Sequence, residues 1–404
     1  MTVFDSKLVI AGGLSGEVRL VNLSTGNCVH MVDSHVASDS SVGLPHINKL
    51  GVHSDNLLLC GNPWIRLVSL STLSTHSGRI FQGHSRNVTC VDFQADAKWF
   101  LSAGEDGSVR LWDLRAKGFQ MGMQHSCSIA DGQLHANQGA FLFGDSQGFV
   151  NEWDLAANQI VRKKIGSAGI TGLGVHALCL DKRLNLVCAH NNREISVFDL
   201  QSQLESDLHS FVQDDAINVR IYGDESPRML QTPPAIASPL AARVISAKSY
   251  KNFGLPPKVI APQSDILVSQ SFGAEIHSSS YISSLRLSQT SQSLAVASGD
   301  GTISVWRTLD EEGLWTLDTV MKESADGITQ SKWSWDASFV DPDERFVLSA
   351  HSDGVCKLWD TARHVPTPIA AYDCGGGKTV KSMVVLDTDA IDPCIGERRH
   401  RAVK

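Results

Sequence analysis

An all-β ring of seven four-stranded blades, a β-propeller closed by its own two ends, is the fold this 404-residue sequence predicts. Three observations carry that prediction. One stretch at positions 83 to 115 has polar residues that can close a buried chain inside a single small sheet. Six further copies of its first strand follow one apolar pattern, and the last copy, near the C-terminus, supplies a strand that the N-terminal sheet lacks.

The stretch reads "GHSRNVTCVDFQADAKWFLSAGEDGSVRLWDLR". Asp106, in the tight turn "GEDG", can accept from the imidazole of His84 and from local backbone N–H groups. His84 can then bond Ser102, and Ser102 the indole N–H of Trp112, so that each polar group enclosed between sheets has a partner. This is the pattern of a WD repeat. One such sheet buries too little apolar surface to stand alone, so the segment requires copies of itself.

The first strand has apolar anchors at i, i+3 and i+5, here Val88, Val91 and Phe93. The same spacing gives Ile47/Leu50/Val52, Ile129/Gly132/Leu134, Ile170/Leu173/Val175, Ile282/Leu285/Leu287, a degenerate Ser334/Ala337/Phe339, and Val380/Met383/Val385. The central positions 50, 91, 132 and 173 are each 41 residues apart, within the roughly 40–45 residue period of WD blades. Trp112, Trp153, Trp306 and Trp359 fall 21 or 22 residues after their own central position, with Val21, Val68 and Phe198 as substitutes elsewhere. Residues 7 to about 33 hold only later strands and residues 379 to 386 only a first strand. Joined as blade 1, they close the ring and remove two exposed sheet edges.

The propeller is expected over residues 1–388, with 389–404 as a flexible basic tail ending "ERRHRAVK". Between positions 173 and 285 the spacing is 112, about 70 more than one repeat. The Pro- and Ser-rich residues 201–265 read as a disordered insertion between the third and fourth strands of blade 5, with "DILVSQSF" as its outer strand. Ser226, Thr232 and Ser238 each precede Pro, so the segment is either a target of a proline-directed kinase or an unconstrained linker.

Chemistry is sparse. "GGGKT" at 375–379 resembles the end of a P-loop, but the required first Gly is Tyr372, and the segment leads into a strand rather than a helix. The sequence has no HExxH, GxSxG or kinase signature, and its nine Cys show no CxxC or Cys/His pair at zinc spacing. A non-enzyme without cofactor or metal is expected. An odd count of scattered Cys points to reduced thiols and a cytoplasmic location, with any recruitment to endomembranes made through partners. A net charge of −8 disfavours nucleic acid, and no apolar run is long enough for membrane insertion.

What remains is surface. The residues either side of the first anchor point away from it, toward the mouth of the channel on the top face. They are His46 and Asn48, Asn87 and Thr89, Ser128 and Ala130, Gly169 and Thr171, Tyr281 and Ser283, and Trp333 and Trp335. Most are small or polar. Two Trp on one side of one strand, beside Tyr281, mark a partner-binding site formed by Trp333, Trp335, Tyr281, His46, Asn48 and Asn87. The competing reading is a shifted strand in which one Trp fills the space left by Ala337.

These peculiarities resemble the WD-repeat subunit of target-of-rapamycin (TOR) kinase complexes, the "lethal with SEC thirteen" or G-protein beta-subunit-like family. The matching stretches are "INKLGVHSDNLLLCGNPWIRLVSL", the segment at 83–115, "FGDSQGFVNEWDL", and "WSWDASF" with "DERFVLSAHSDGVCKLWD". The resemblance implies a non-catalytic subunit. It would dock on the C-terminal lobe of a TOR-family kinase, stabilise it and shape substrate access, in assemblies with raptor-type or rictor-type subunits. It also implies that Trp333, Trp335 and Asn48 face the kinase, while His46 stands where the family has Gln. The alternative is a general WD-repeat scaffold, either G-protein beta-like or a ubiquitin-ligase receptor. The latter would place several Arg or Lys around the mouth, where the only such residue flanking a first anchor is Lys381, next to Val380, with Arg86 one residue removed.

Overall fold

In the computed structural model, residues 7–33, 46–73, 78–164, 174–181, 185–190, 195–199, 258–260, 270–272, 281–308, 315–322, 332–363 and 367–387 are described. They form seven antiparallel sheets. Six have four strands, and the fourth gains a fifth. Each inner strand packs against the inner strand of the next blade all the way round. The ring closes as the sequence implies: Val380–Asp387 pairs antiparallel with Lys7–Gly13, from Lys7 opposite Asp387 to Gly12 opposite Ser382. The Lys7 ammonium meets the Asp387 carboxylate at 2.7 Å, and the Leu14 N–H donates to the Thr379 carbonyl at 2.9 Å.

The core lies between blades, where alternate residues of neighbouring sheets interdigitate. Trp112, Trp153 and Trp359 are fully enclosed there, as are their substitutes Val21, Val68 and Phe198.

An inner strand is an edge strand, so one side of its backbone faces the channel and needs partners. Side chains of the preceding blade supply them. Asp92 accepts from the Leu134 N–H at 2.9 Å, Gln133 from Leu180 at 2.9 Å, Asp336 from Met383 at 3.1 Å, and the Ser382 hydroxyl from Leu50 at 3.2 Å. In the opposite sense, the Thr89 hydroxyl donates to the Ile129 carbonyl at 2.9 Å. The polar residues of the inner strands thus stitch the ring.

Two features depart from the sequence reading. The inner strand of blade 5 is Val175–Leu180, with Val175 opposite His190. Its anchors are therefore Val175/Leu178/Leu180, five residues later than Ile170/Leu173/Val175. Both triplets satisfy i, i+3, i+5, and extrapolating the 41-residue period selected the wrong one. The pairing partner Asn185–His190 decides, because only the later strand reaches it through a short turn. Gly169 and Thr171 lie outside the described residues, and the flanking pair becomes Gly174 and His176.

The other concerns the 201–265 segment, most of which lies outside the described residues, as does the 389–404 tail. The chain leaves blade 5 after Ile195–Asp199 and returns as Gln270–Phe272, its fourth strand, inside the expected "DILVSQSF". Before returning, Lys258–Ile260 adds in parallel to the outer strand Gln159–Lys164 of blade 4. Its Val259 and Ile260 suit a strand, and three residues of the presumed linker cover a sheet edge.

Candidate functional site: the mouth of the channel

In five blades the inner strand opens with a β-bulge one residue after the first anchor. The register shifts between Val88 and Cys90, Ile129 and Asp131, Val175 and Ala177, Ile282 and Ser284, and Ser334 and Asp336. A bulge leaves one residue unpaired and re-aims its side chain. The residues so released are Thr89, Ala130, His176, Ser283 and Trp335, and all five line one open cavity at the top of the channel. Asn48, Asn87, Glu105 and Lys381 complete its rim, and Lys49, Asp131 and Asp336 lie deeper.

Around this mouth a continuous arc runs through six of the seven blades. The rings of His176 and Tyr281 are 5.4 Å apart, Tyr281 meets Trp333 edge-on at 5.9 Å, and Trp333 is tilted against Trp335 at 5.6 Å. Each spacing falls within the range of favourable aromatic contacts. The Lys381 ammonium then lies 5.4 Å from the centre of the Trp335 ring and donates to Asn48 Oδ1 at 3.2 Å. Asn48 Nδ2 donates to Asn87 Oδ1 at 3.2 Å, and Asn87 Nδ2 to Glu105 Oε2 at 3.0 Å. Burial in the mouth pushes the Lys381 ammonium below the usual lysine range, with Glu105 opposing, and burial pushes the Tyr281 phenol up.

The arc joins five of the six residues singled out from sequence: Trp333, Trp335, Tyr281, Asn48 and Asn87. Trp333 is 44% exposed, although large apolar side chains are ordinarily covered. Trp335 is only half-buried and lines the cavity, so it does not fill the space beside Ala337. Its indole N–H is enclosed and has no acceptor among the described residues. His46 stands apart: it is exposed, its Nδ1 lies 3.2 Å from the Leu14 carbonyl, and it does not line the cavity. Sequence reasoning missed His176, through the slipped register, and Glu105, which reaches the rim from a turn between strands.

Below the mouth the channel wall is charged. Asp336 accepts from the Ser284 hydroxyl at 2.7 Å and from Arg286 Nε at 3.4 Å. Burial opposes its charge, but Arg286, Lys49 and these hydrogen bonds hold its carboxyl below the usual range. Lys49 lies 3.8 Å from Asp131.

The polar chain expected in blade 3 is present in full. The Trp112 indole donates to Ser102 Oγ at 2.8 Å, Ser102 lies 2.8 Å from His84 Nε2, and His84 Nδ1 is 3.2 Å from Asp106. This order makes Ser102 the donor to Nε2 and puts the imidazole proton on Nδ1. Burial depresses the His84 pKa despite Asp106, in keeping with a neutral ring. Burial also resists the charge on Asp106, but N–H groups of Ser85 and Ser108 outweigh it and hold the carboxyl low. Blade 7 rebuilds part of the chain: Trp359 donates to Ser349 at 2.7 Å, and Ser349 meets His351 Nε2 at 2.7 Å.

Seven closed blades and a Trp–Ser–His–Asp chain define a WD-repeat β-propeller, and that is the class of this protein. The family model "WD domain, G-beta repeat" matches residues 71–113, 270–307 and 325–360. Within that class the chain is similar to WD-repeat proteins named for TOR complexes. It is 33% identical to Target of rapamycin complex subunit wat1 of Schizosaccharomyces pombe, over 40% of this chain and 49% of that protein. It is 30% identical to Target of rapamycin complex subunit LST8 of Saccharomyces cerevisiae, over 34% of this chain and 43% of that one. The figure is 36% for subunit LST8-1 of Arabidopsis thaliana, over 30% and 38%. The chain thus spans about half the length, or less, of these curated relatives.

Solved structures agree on fold alone. The β-propeller domain of Myceliophteria thermophila Cps50 (Swd1) superposes with a TM-score of 0.55 at 13% identity, covering 82% of this chain and 87% of that one. The computationally designed Ika8 protein gives 0.54 at 14%, covering 95% and 91%.

Proposed function

We propose that this propeller is a non-catalytic subunit of a TOR-type kinase complex. Its top face docks on the C-terminal lobe of the kinase, stabilises that lobe and shapes access to the active-site cleft. The observation that carries the reading is the arc from His176 to Glu105, in which Trp333 is exposed and the Trp335 N–H has no acceptor among the described residues. A buried donor left unmade costs about 1–3 kcal/mol, which an acceptor on a docked partner would recover. Large aromatic side chains beside such a donor are the residues that dominate binding energy at interfaces. The names of the relatives supply the partner class. Raptor-type or rictor-type subunits would then be neighbours in the assembly, and a cytoplasmic location goes with the reading.

Isothermal titration of the purified propeller into a purified TOR kinase domain tests it. Saturable binding is expected, weakened at least about tenfold by Trp333→Ala and by Lys381→Glu. A kinase domain that gives no heat with wild type, or binds both variants as tightly, contradicts it.

A further inference from the structure

Blade 4 repeats blade 3 at an offset of 41 residues, which sets His125 in the place of His84. The rest of the chain of bonds is not repeated. Phe143 occupies the position of Ser102, and Gln147 that of Asp106. With no serine to pass its bond to, the His125 ring packs edge-on against Phe143 at 5.4 Å and turns Nε2 toward Asp145 Oδ2, 2.9 Å away. Trp153, deprived of the same serine, donates instead to Asn158 at 3.1 Å. Two residues beyond His125, where blade 3 has Arg86, stands Cys127, a half-buried free thiol. The His125 nitrogen, the Cys127 sulfur and an Asp145 carboxylate oxygen all lie within 4.8 Å of one another.

We propose that His125, Cys127 and Asp145 form a binding site for a zinc-class divalent cation on the top face of blade 4. Imidazole, thiolate and carboxylate together are a donor set suited to zinc, and three protein ligands leave a fourth position for water. With metal–nitrogen and metal–oxygen bonds of about 2.0–2.1 Å, a tetrahedral centre separates its nitrogen and oxygen ligands by about 3.3 Å. The His125–Asp145 pair has to open by only a few tenths of an ångström. Binding releases one proton, from the Cys127 thiol, to solvent; His125 coordinates through Nε2 as a neutral imidazole, its single ring proton moving to Nδ1. Asp145 is held in position by the Phe149 N–H, which donates to its Oδ1 at 3.0 Å, and by Asn151 Nδ2, which donates to its Oδ2 at 3.2 Å. The ion would tie the loop entering blade 4 to the end of that blade's second strand.

Zinc and cobalt titrations of the full chain test this. Wild type is expected to take up one equivalent of zinc, seen by calorimetry, with a rise in melting temperature. Cobalt should give the thiolate-to-metal charge-transfer absorption of a bound cysteine. Cys127→Ser should lose that absorption and weaken zinc at least about tenfold, while Cys28→Ser, a control at an exposed thiol in blade 1, keeps both. Cys127 makes no strong bond, so its variant is expected to melt like wild type without metal. No uptake by wild type, equal uptake by Cys127→Ser, or loss of the absorption in Cys28→Ser would overturn the site.

Discussion

At the scale of single residues, Ser102 and Asp92 show how burial sets the worth of a polar group. Ser102 is enclosed, accepts from Trp112 and donates to His84. Ser102→Ala would strand both neighbours, and a loss of about 2–4 kcal/mol in chemical denaturation is expected, against under about 0.5 kcal/mol for an exposed serine such as Ser126. Asp92 presents the opposite balance. Burial in the channel wall and the nearby Asp131 raise its pKa to about 6, although the Leu134 N–H pulls it down. A carboxyl raised on folding stabilises most when protonated, and that contribution is lost as pH rises through about 6. Asp92→Asn keeps an acceptor for Leu134 without the charge. It should gain about 1–3 kcal/mol over wild type above pH 6, and the gain should vanish below about pH 4. A gain that persists at pH 4, measured by thermal melts across this range, would assign the effect to packing instead.

At the scale of strands, the bulge is the device that builds the site. It turns Thr89, His176 and Trp335 into the channel while their neighbours stay in the ladder. The alternation of anchors made the exposure of Trp333 and Trp335 legible in sequence, because residues flanking a core position point away from it. The register of blade 5 was not legible, since two overlapping triplets satisfy the same spacing and only the pairing strand separates them. The replacement of the turn acid by Asp145 in blade 4 was hidden for a similar reason: the substitute comes from a strand end two residues earlier, where a repeat alignment expects Gly. Strand-to-strand bonds through side chains also have no sequence signature beyond polar residues where apolar ones are expected. Asp336 is the most heavily used of these, serving Ser284, Arg286 and the Met383 N–H. Asp336→Ala should cost about 3–5 kcal/mol, as expected when one partner of a buried ion pair is removed, and Asp336→Asn distinctly less. Equal losses in urea unfolding would mean that the charge at this position does not matter.

At the scale of the whole molecule, the ring explains why a chain with little chemistry is built so regularly. No blade is stable alone, so the enclosed polar chain of blade 3 and each side-chain stitch serve a single object whose product is a rigid top face. On that face the polar and aromatic arc spans blades 5, 6, 7, 1, 2 and 3, which is possible only because the first and last strands share one sheet. Among the described residues no helix is long and apolar enough to cross a membrane, and the one helical turn is Thr361–Arg363. We propose that a TOR-family kinase is held at this arc. Docking there is tested most directly by affinity purification of the tagged protein beside a Trp333→Ala/Trp335→Ala double variant, both first shown to melt alike. Wild type should retrieve a TOR-family kinase and the folded variant should not. Retrieval of the kinase by both, or of a different assembly by wild type, would contradict it.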